Sequence, residues 1–219
     1  MMPDSESYSP EFFDCDVLWI AIPPKSRSGE GDNYIKRVKR IIAAAIKHGV
    51  KQVVHISSTG VYGDHNQEVD ELTPPDPISP SGKILLQVEQ LLRKQAEFIT
   101  TIVRFGGLVG PSRDPGRFFA GKKNIPNGKA PVNLIHLDDC IRICAAILDK
   151  KSFGYIYNAC SPHHPEKAGF YTQAAIRSGL KAPDFTDELL EWKIVRSVYI
   201  DDVLGYSFKV GDWDKYLGE

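Results

Sequence analysis

The residues best placed to do chemistry are three consecutive hydroxyls. Val53, Val54, His55 and Ile56 run straight into Ser57, Ser58 and Thr59, and the segment breaks at Gly63 after Tyr62. An apolar run bounded by turn residues is the pattern of a strand buried on both faces of a parallel sheet. The carboxyl ends of such strands are where open α/β sheets hold their ligands. Ser57, Ser58 and Thr59 are therefore expected to line a ligand crevice, with satisfaction of backbone groups in a strand-to-loop turn as their alternative role. Phe105, Gly106 and Gly107 close a second apolar run, Thr100 to Phe105, and again put pliant backbone at a strand end.

Cations gather further on. Arg113, Arg117, Lys122 and Lys123 fall in an irregular Gly/Pro-rich excursion over 111–131. Guanidinium groups there suit a diphosphate, which they bind in a planar, bidentate manner; a solvated loop is the competing reading. Arg104, inside a strand-end apolar context, is expected to pair with a carboxylate or carbonyl. His136, Asp138 and Asp139 could make a hydrolytic triad with Ser58, but no Gly-x-Ser-x-Gly elbow exists, so they read as a hinge and a helix cap. Cys140 and Cys144 lie one helical turn apart without a further Cys or His pair to complete a metal set, so core packing is expected and no metal. His163 and His164 sit beside prolines and read as solvated polar residues, with a ligand pair as the alternative.

These groups need elements to position them. Val17 to Ile22 is an apolar strand stopped by Pro23 and Pro24, and a polar loop follows over 25–32. Asn33 to His48 has apolar residues at three- and four-residue spacing, with Gly49 after its end, and reads as a helix leading into the Val53 strand. Strand, helix, strand over this length is a right-handed βαβ crossover with parallel strands. Four prolines between Pro74 and Pro80 exclude a helix or inner strand before the next helix, which starts near Ser81 with Ile84, Leu85, Val88, Leu91 and Leu92 as its stripe. A short strand at 132–136 precedes a helix from Asp139 to Leu148, with Asp138 as its cap and Ile141, Cys144, Ile147 and Leu148 inward. Tyr155 to Ala159 and Lys193 to Tyr199 read as strands and Phe170 to Arg177 as a helix.

The chain has 219 residues, 42% of them hydrophobic, with 27 Lys and Arg against 28 Asp and Glu. Such a chain folds around one core or a core and a small lobe. Its charge balance supplies no field to recruit nucleic acid or an anionic membrane surface. Four scattered cysteines and no signal peptide or long apolar run point to a reducing cytoplasm.

In order, DVLWIAIPP, HGVKQVVHISSTGVYG, DELTPPDPISP, TTIVRFGGLVGP, NLIHLDDC, GYIYNACS and DVLGYSFK resemble the extended or atypical short-chain dehydrogenase/reductase superfamily. The closest likeness is to its NAD-dependent epimerase/dehydratase branch, which acts on nucleotide sugars. The resemblance implies an α/β, Rossmann-like parallel sheet over 1–160, with the excursion 111–135 joining a small mixed substrate lobe over 161–219. It implies NAD or NADP in a complete relative and a small-molecule substrate such as a nucleotide sugar. Ser58 falls at the substrate-orienting hydroxyl. Ala21, Ile22, Pro23, Ser57, Phe105, Gly106 and Gly107 would border the nicotinamide, and Thr59, Arg113 and Arg117 the substrate.

The chain departs from that pattern twice. The family's Tyr and Lys, four residues apart on one helix face, fall on Ser81 and Leu85, and the nearest ammonium, Lys83, lies about 200° round the helix from Ser81. Ser81 and Lys83 are the remaining catalytic candidates, as Ser-Gly-Lys occurs here in atypical members. A non-catalytic binding or interaction protein on the same fold is the rival expectation. The family also begins with a Gly-x-x-Gly-x-x-Gly turn that holds the dinucleotide pyrophosphate. It would need roughly sixty residues, two strand–helix units of about thirty each, ahead of Asp16. Far fewer stand there, so Val17 to Ile22 is expected to form a sheet edge, marking either a truncated sequence or a site of pairing with another chain, a second copy included.

Overall fold

The computed structural model describes residues 8–24 and 31–218, and most of the polar loop expected over 25–32 lies outside them. Its main sheet is parallel, in the order β1 (Val17–Ile20), β2 (Gln52–Ser58), β4 (Ile99–Phe105), β7 (Ile156–Ala159). β1 lies beside β2 with Val17 opposite Gln52 and Ile20 opposite His55. This is the pairing direction that the crossover argument requires. Pro23 and Pro24 end the first strand early, at Ile20.

The chain divides into two compact units: 1–63, 74–104 and 151–157 form one, and 64–73, 105–150 and 158–219 the other. In the first unit, α1 (Gly31–Lys47) turns Tyr34, Val38, Ile42 and Ala45 inward and ends at Gly49, whose φ of 72° gives the left-handed turn that releases the helix. α2 (Pro80–Arg93) is capped by Ser79, whose hydroxyl accepts the Gly82 amide at 3.0 Å, with Pro80 in its first turn. Its Leu85, Val88 and Leu92 are buried. Gly31 lets the two helices approach: a β-carbon there would lie 2.4 Å from Ile84 Cδ1.

The second unit holds two small parallel pairs, β3 (Gln67–Val69) with β8 (Lys193–Val195) and β5 (Gly107–Val109) with β6 (Leu134–His136). Val109, Leu134, Phe170 and Trp213 lie in its core, packed by α5 (Lys167–Arg177) and α7 (Trp213–Gly218). Three expectations are corrected here. The strand foreseen over Lys193–Tyr199 stops at Val195, because the buried Glu71 carboxylate accepts the Val198 amide at 3.1 Å and starts the short helix α6 (Val198–Asp202). The helix α4 (Leu137–Asp149) begins at Leu137, not Asp139: His136 Nδ1 accepts the Asp138 amide at 3.2 Å, so His136 is the cap and Asp138 sits inside the first turn, paired with Lys209. That frame buries Cys140, Ile143 and Ile147 and leaves Ile141 59% exposed.

Two buried features of the first unit have measurable consequences. Burial lowers the His55 imidazole to about 4, from an ordinary value of 6.5, against the opposing pull of Glu89 on α2. Folding thus favours neutral His55. Its contribution is complete above pH 6.5 and is lost as the pH falls towards 4, a separation worth about 3 kcal/mol at roughly 1.4 kcal/mol per pH unit. His55→Leu is expected to flatten the fall in unfolding free energy over that window in denaturant titrations. At the start of α2, a β-carbon on Gly82 would lie 2.2 Å from the Gly60 carbonyl oxygen and 2.8 Å from Pro77 Cβ. Gly82→Ala should cost about 1–3 kcal/mol in the same titrations, as overpacking against backbone does.

Candidate functional site

The turn after β2 carries the three hydroxyls at the end of an inner strand. Strand alternation sends Ser57 to the α2 side and Ser58 to the other. Ser57 is buried, and its hydroxyl donates to Glu89 Oε1 at 2.6 Å. Ser58, half-buried and extended, accepts the Gly60 amide at 3.1 Å. Because that bond uses an oxygen lone pair, the hydroxyl proton remains available to an incoming acceptor. Thr59 is only 5% exposed and opens a single 3-10 turn, Thr59–Val61. Just beyond β1, Ala21 and Pro23 are exposed and Ile22 half-buried. The β1–β2 register carries them alongside the residues that follow His55.

Behind the turn lies an ion pair. Arg104 Nε and Nη2 donate to Glu89 Oε1 and Oε2 at 3.1 and 2.6 Å, and Nη1 donates to the Tyr62 hydroxyl at 2.6 Å. Both charged side chains are 2% exposed. Of the two partners the sequence allows Arg104, a carboxylate or a carbonyl, the fold supplies a carboxylate, that of Glu89. Its signal was an acid in the apolar stripe of α2, between Val88 and Leu92. Ser81 is half-buried with its Oγ 3.3 Å from Ser79 Oγ, Lys83 is exposed, and Leu85 is 7% exposed. A leucine on the Ser81 face neither lowers a neighbouring pKa nor passes a proton, so a Tyr/Lys type of acid–base pair is not formed there.

In the second unit, Phe105 is half-buried, Gly106 buried and Gly107 exposed. A β-carbon at Gly106 would lie 3.0 Å from the Asn133 carbonyl oxygen, a tight backbone contact, while one at Gly107 would lie 2.9 Å from Leu134 Cδ2, the tip of a side chain that can move aside. Arg113 lies over the Phe118 ring at 5.6 Å, and Arg117, exposed, stands 3.8 Å from Asp114. Asp139, buried, accepts the Tyr206 hydroxyl at 2.7 Å and the Lys209 and Val210 amides, tying that later segment to the start of the helix. His163 gathers with Asp212 and Asp214, their candidate ligand atoms within 4.8 Å of one another. Its Nδ1 accepts the Trp213 amide at 3.0 Å, which assigns the proton of the neutral ring to Nε2 and leaves no lone pair for a cation. Cys140 is buried and burial pushes its thiol up to about 12, in keeping with a packing role.

The residues present fit a dinucleotide only in part. The backbone after β1 and β2 lies at adjacent ends of parallel strands, where open α/β sheets hold their ligands. The pyrophosphate end needs a glycine-rich turn on a helix N-terminus, and the sequence contains no Gly-x-x-Gly-x-x-Gly. Gly31, at the start of α1, is taken up by packing on Ile84. The pyrophosphate therefore has no cradle among the described residues, and no chemical step is derived through it.

Comparison with known proteins bears on what this arrangement is. Residues 25–160 match the model of the NAD dependent epimerase/dehydratase family. Protein YeeZ of Escherichia coli K12 is 40% identical over 202 residues, 91% of this chain and 73% of that protein. An uncharacterized UDP-glucose epimerase, YtcB of Bacillus subtilis, is 27% identical over 156 residues, covering 62% of this chain and 49% of the relative. Among solved structures, a functionally unknown conserved protein from Silicibacter pomeroyi superposes with a TM-score of 0.79 at 26% identity, over 98% of this chain and 79% of its own. The UDP-glucuronic acid 4-epimerase of Bacillus cereus, in complex with NAD, shares the fold with a TM-score of 0.78 at 22% identity, over 97% and 74%. With its parallel sheet, its hydroxyl-bearing turn and these matches, the chain belongs to the NAD-dependent epimerase/dehydratase family.

Proposed function

We propose that this chain recognises a nucleotide sugar through the turn after β2, with Ser58 donating a hydrogen bond to a sugar hydroxyl, and that it does so without a Tyr/Lys acid–base pair. The observation that carries the reading is the Ser58 hydroxyl, fixed by the Gly60 amide at the carboxyl end of an inner strand with its proton free to donate. Ala21, Ile22 and Pro23 border the same strand ends, with the Ser57 and Thr59 backbone beside them. In the second unit, taken by itself, Arg113 and Arg117 are exposed cations of the kind that binds a diphosphate. Family members support this substrate class: solved relatives include MoeE5 in complex with UDP-glucuronic acid and NAD.

A second reading, NAD(P)-dependent oxidoreduction of that nucleotide sugar, is favoured by the dinucleotides in several relatives, NADPH in a human epimerase family protein among them. Under it Ser81 or Lys83 would handle the proton. The missing partner at Leu85 and the exposure of Lys83 weigh against it.

Thermal denaturation separates the readings. A ligand at 100 times its dissociation constant adds about 2.7 kcal/mol, which raises the midpoint of a domain this size by several degrees. UDP-glucose is expected to produce such a shift, and NAD and NADP at millimolar concentration little. A full shift with either dinucleotide, together with its reduction in the presence of the sugar nucleotide, would replace the first reading by the second. Ser58→Ala should weaken UDP-glucose binding about tenfold in calorimetry, as loss of one ligand hydrogen bond does, with the unliganded melting point lowered by a few degrees for the lost Gly60 bond.

A further inference from the structure

The Ser58 turn is held at both ends by one buried carboxylate. Glu89 Oε1 accepts the Ser57 hydroxyl at 2.6 Å, immediately before Ser58. Through its two-bond pairing with Arg104, the same carboxylate fixes the guanidinium that donates to the Tyr62 hydroxyl and lies 5.0 Å from the centre of the Tyr62 ring, immediately after the turn. Between these anchors the Tyr62 amide donates to the Thr59 carbonyl at 3.1 Å, and the Gly60 amide to Ser58 Oγ. Glu89 sits two turns along α2 from Gly82, whose missing side chain lets the helix rest on the Gly60 carbonyl. One helix thus touches the turn twice, by close packing at its start and by charge further along.

We propose that Glu89 is a positioning residue that sets the orientation of the Ser58 hydroxyl, acting through Ser57 on one side and through Arg104 and Tyr62 on the other. The role of that hydroxyl rests on the function proposed above, whereas the positioning itself does not. Breaking an ion pair this deeply buried strands the remaining charge, so an ordinary stability measurement would register damage whatever the role of Glu89. A local readout is needed.

The Gly60 amide provides one, because its hydrogen bond is the one that fixes Ser58 Oγ. Amide hydrogen exchange followed by NMR in Glu89→Gln should show Gly60 exchanging about tenfold faster, the factor for about 1.4 kcal/mol, with Val38 on α1 unchanged. Tyr62→Phe, which keeps the Glu89–Arg104 pair and removes the hydroxyl that accepts from Arg104, should accelerate Gly60 by a smaller factor and serves if the first variant fails to fold. Unchanged Gly60 exchange in a folded variant, or a rise shared equally by Val38, would overturn the proposal. UDP-glucose titrations of the same variants are read separately. Faster Gly60 exchange in a protein that never bound the sugar nucleotide would retain the positioning and remove the ligand.

Discussion

The buried pairing of Glu89 with Arg104 is the interaction on which the arrangement of this chain's first unit depends. It joins α2 to β4 and, through Ser57 and Tyr62, joins both to the turn after β2. An acid and a base at this depth are tolerated because the oxygens and nitrogens find partners: both carboxylate oxygens accept, and Nε, Nη1 and Nη2 all donate. Its value lies in geometry. Apolar contacts between a helix and a sheet slide at modest cost, while a forked ion pair admits one arrangement. A hydroxyl expected to meet a ligand is placed next to a fixed point.

Much of the fold was legible in the chain. The apolar strand, amphipathic helix, apolar strand succession from Val17 to Ile56 demanded a parallel crossover, and β1 and β2 pair in that way. Prolines before α2 and glycines after α1 and α5 marked boundaries that the backbone confirms through the positive φ of Gly49 and Gly179. The failures have a common cause. Asp138 carried the composition of a cap, yet His136 took that place. The alternating run after Lys193 looked like a strand until Glu71, more than a hundred residues earlier, captured its amides. Local propensity cannot see a partner that arrives from elsewhere in the chain.

The candidate residues divide along the same line. Ser58 stands where a buried strand's end should place it, because strand position and alternation are local properties. Ser57 and Thr59, neighbours of the same type, are turned inward, and alternation alone distinguishes them from Ser58. Gly106 and Gly107 read as openings for a ligand, while in the fold their lack of side chains admits the Asn133 carbonyl and the Leu134 side chain. Glu89 was invisible as a site residue because its meaning lies in what Arg104, Ser57 and Tyr62 do around it. Family membership sets the sheet and the turn. Ser81 and a buried Leu85 stand at the positions where the resemblance puts that family's Tyr and Lys.

The central claim, that the Ser58 turn receives a sugar hydroxyl, is tested most directly by a crystal structure of the protein grown with saturating UDP-glucose. The account predicts a sugar oxygen within hydrogen-bonding distance of Ser58 Oγ, with the Gly60 amide still bound to the same oxygen. Ordered UDP-glucose elsewhere on the protein, with Ser58 untouched, would contradict it.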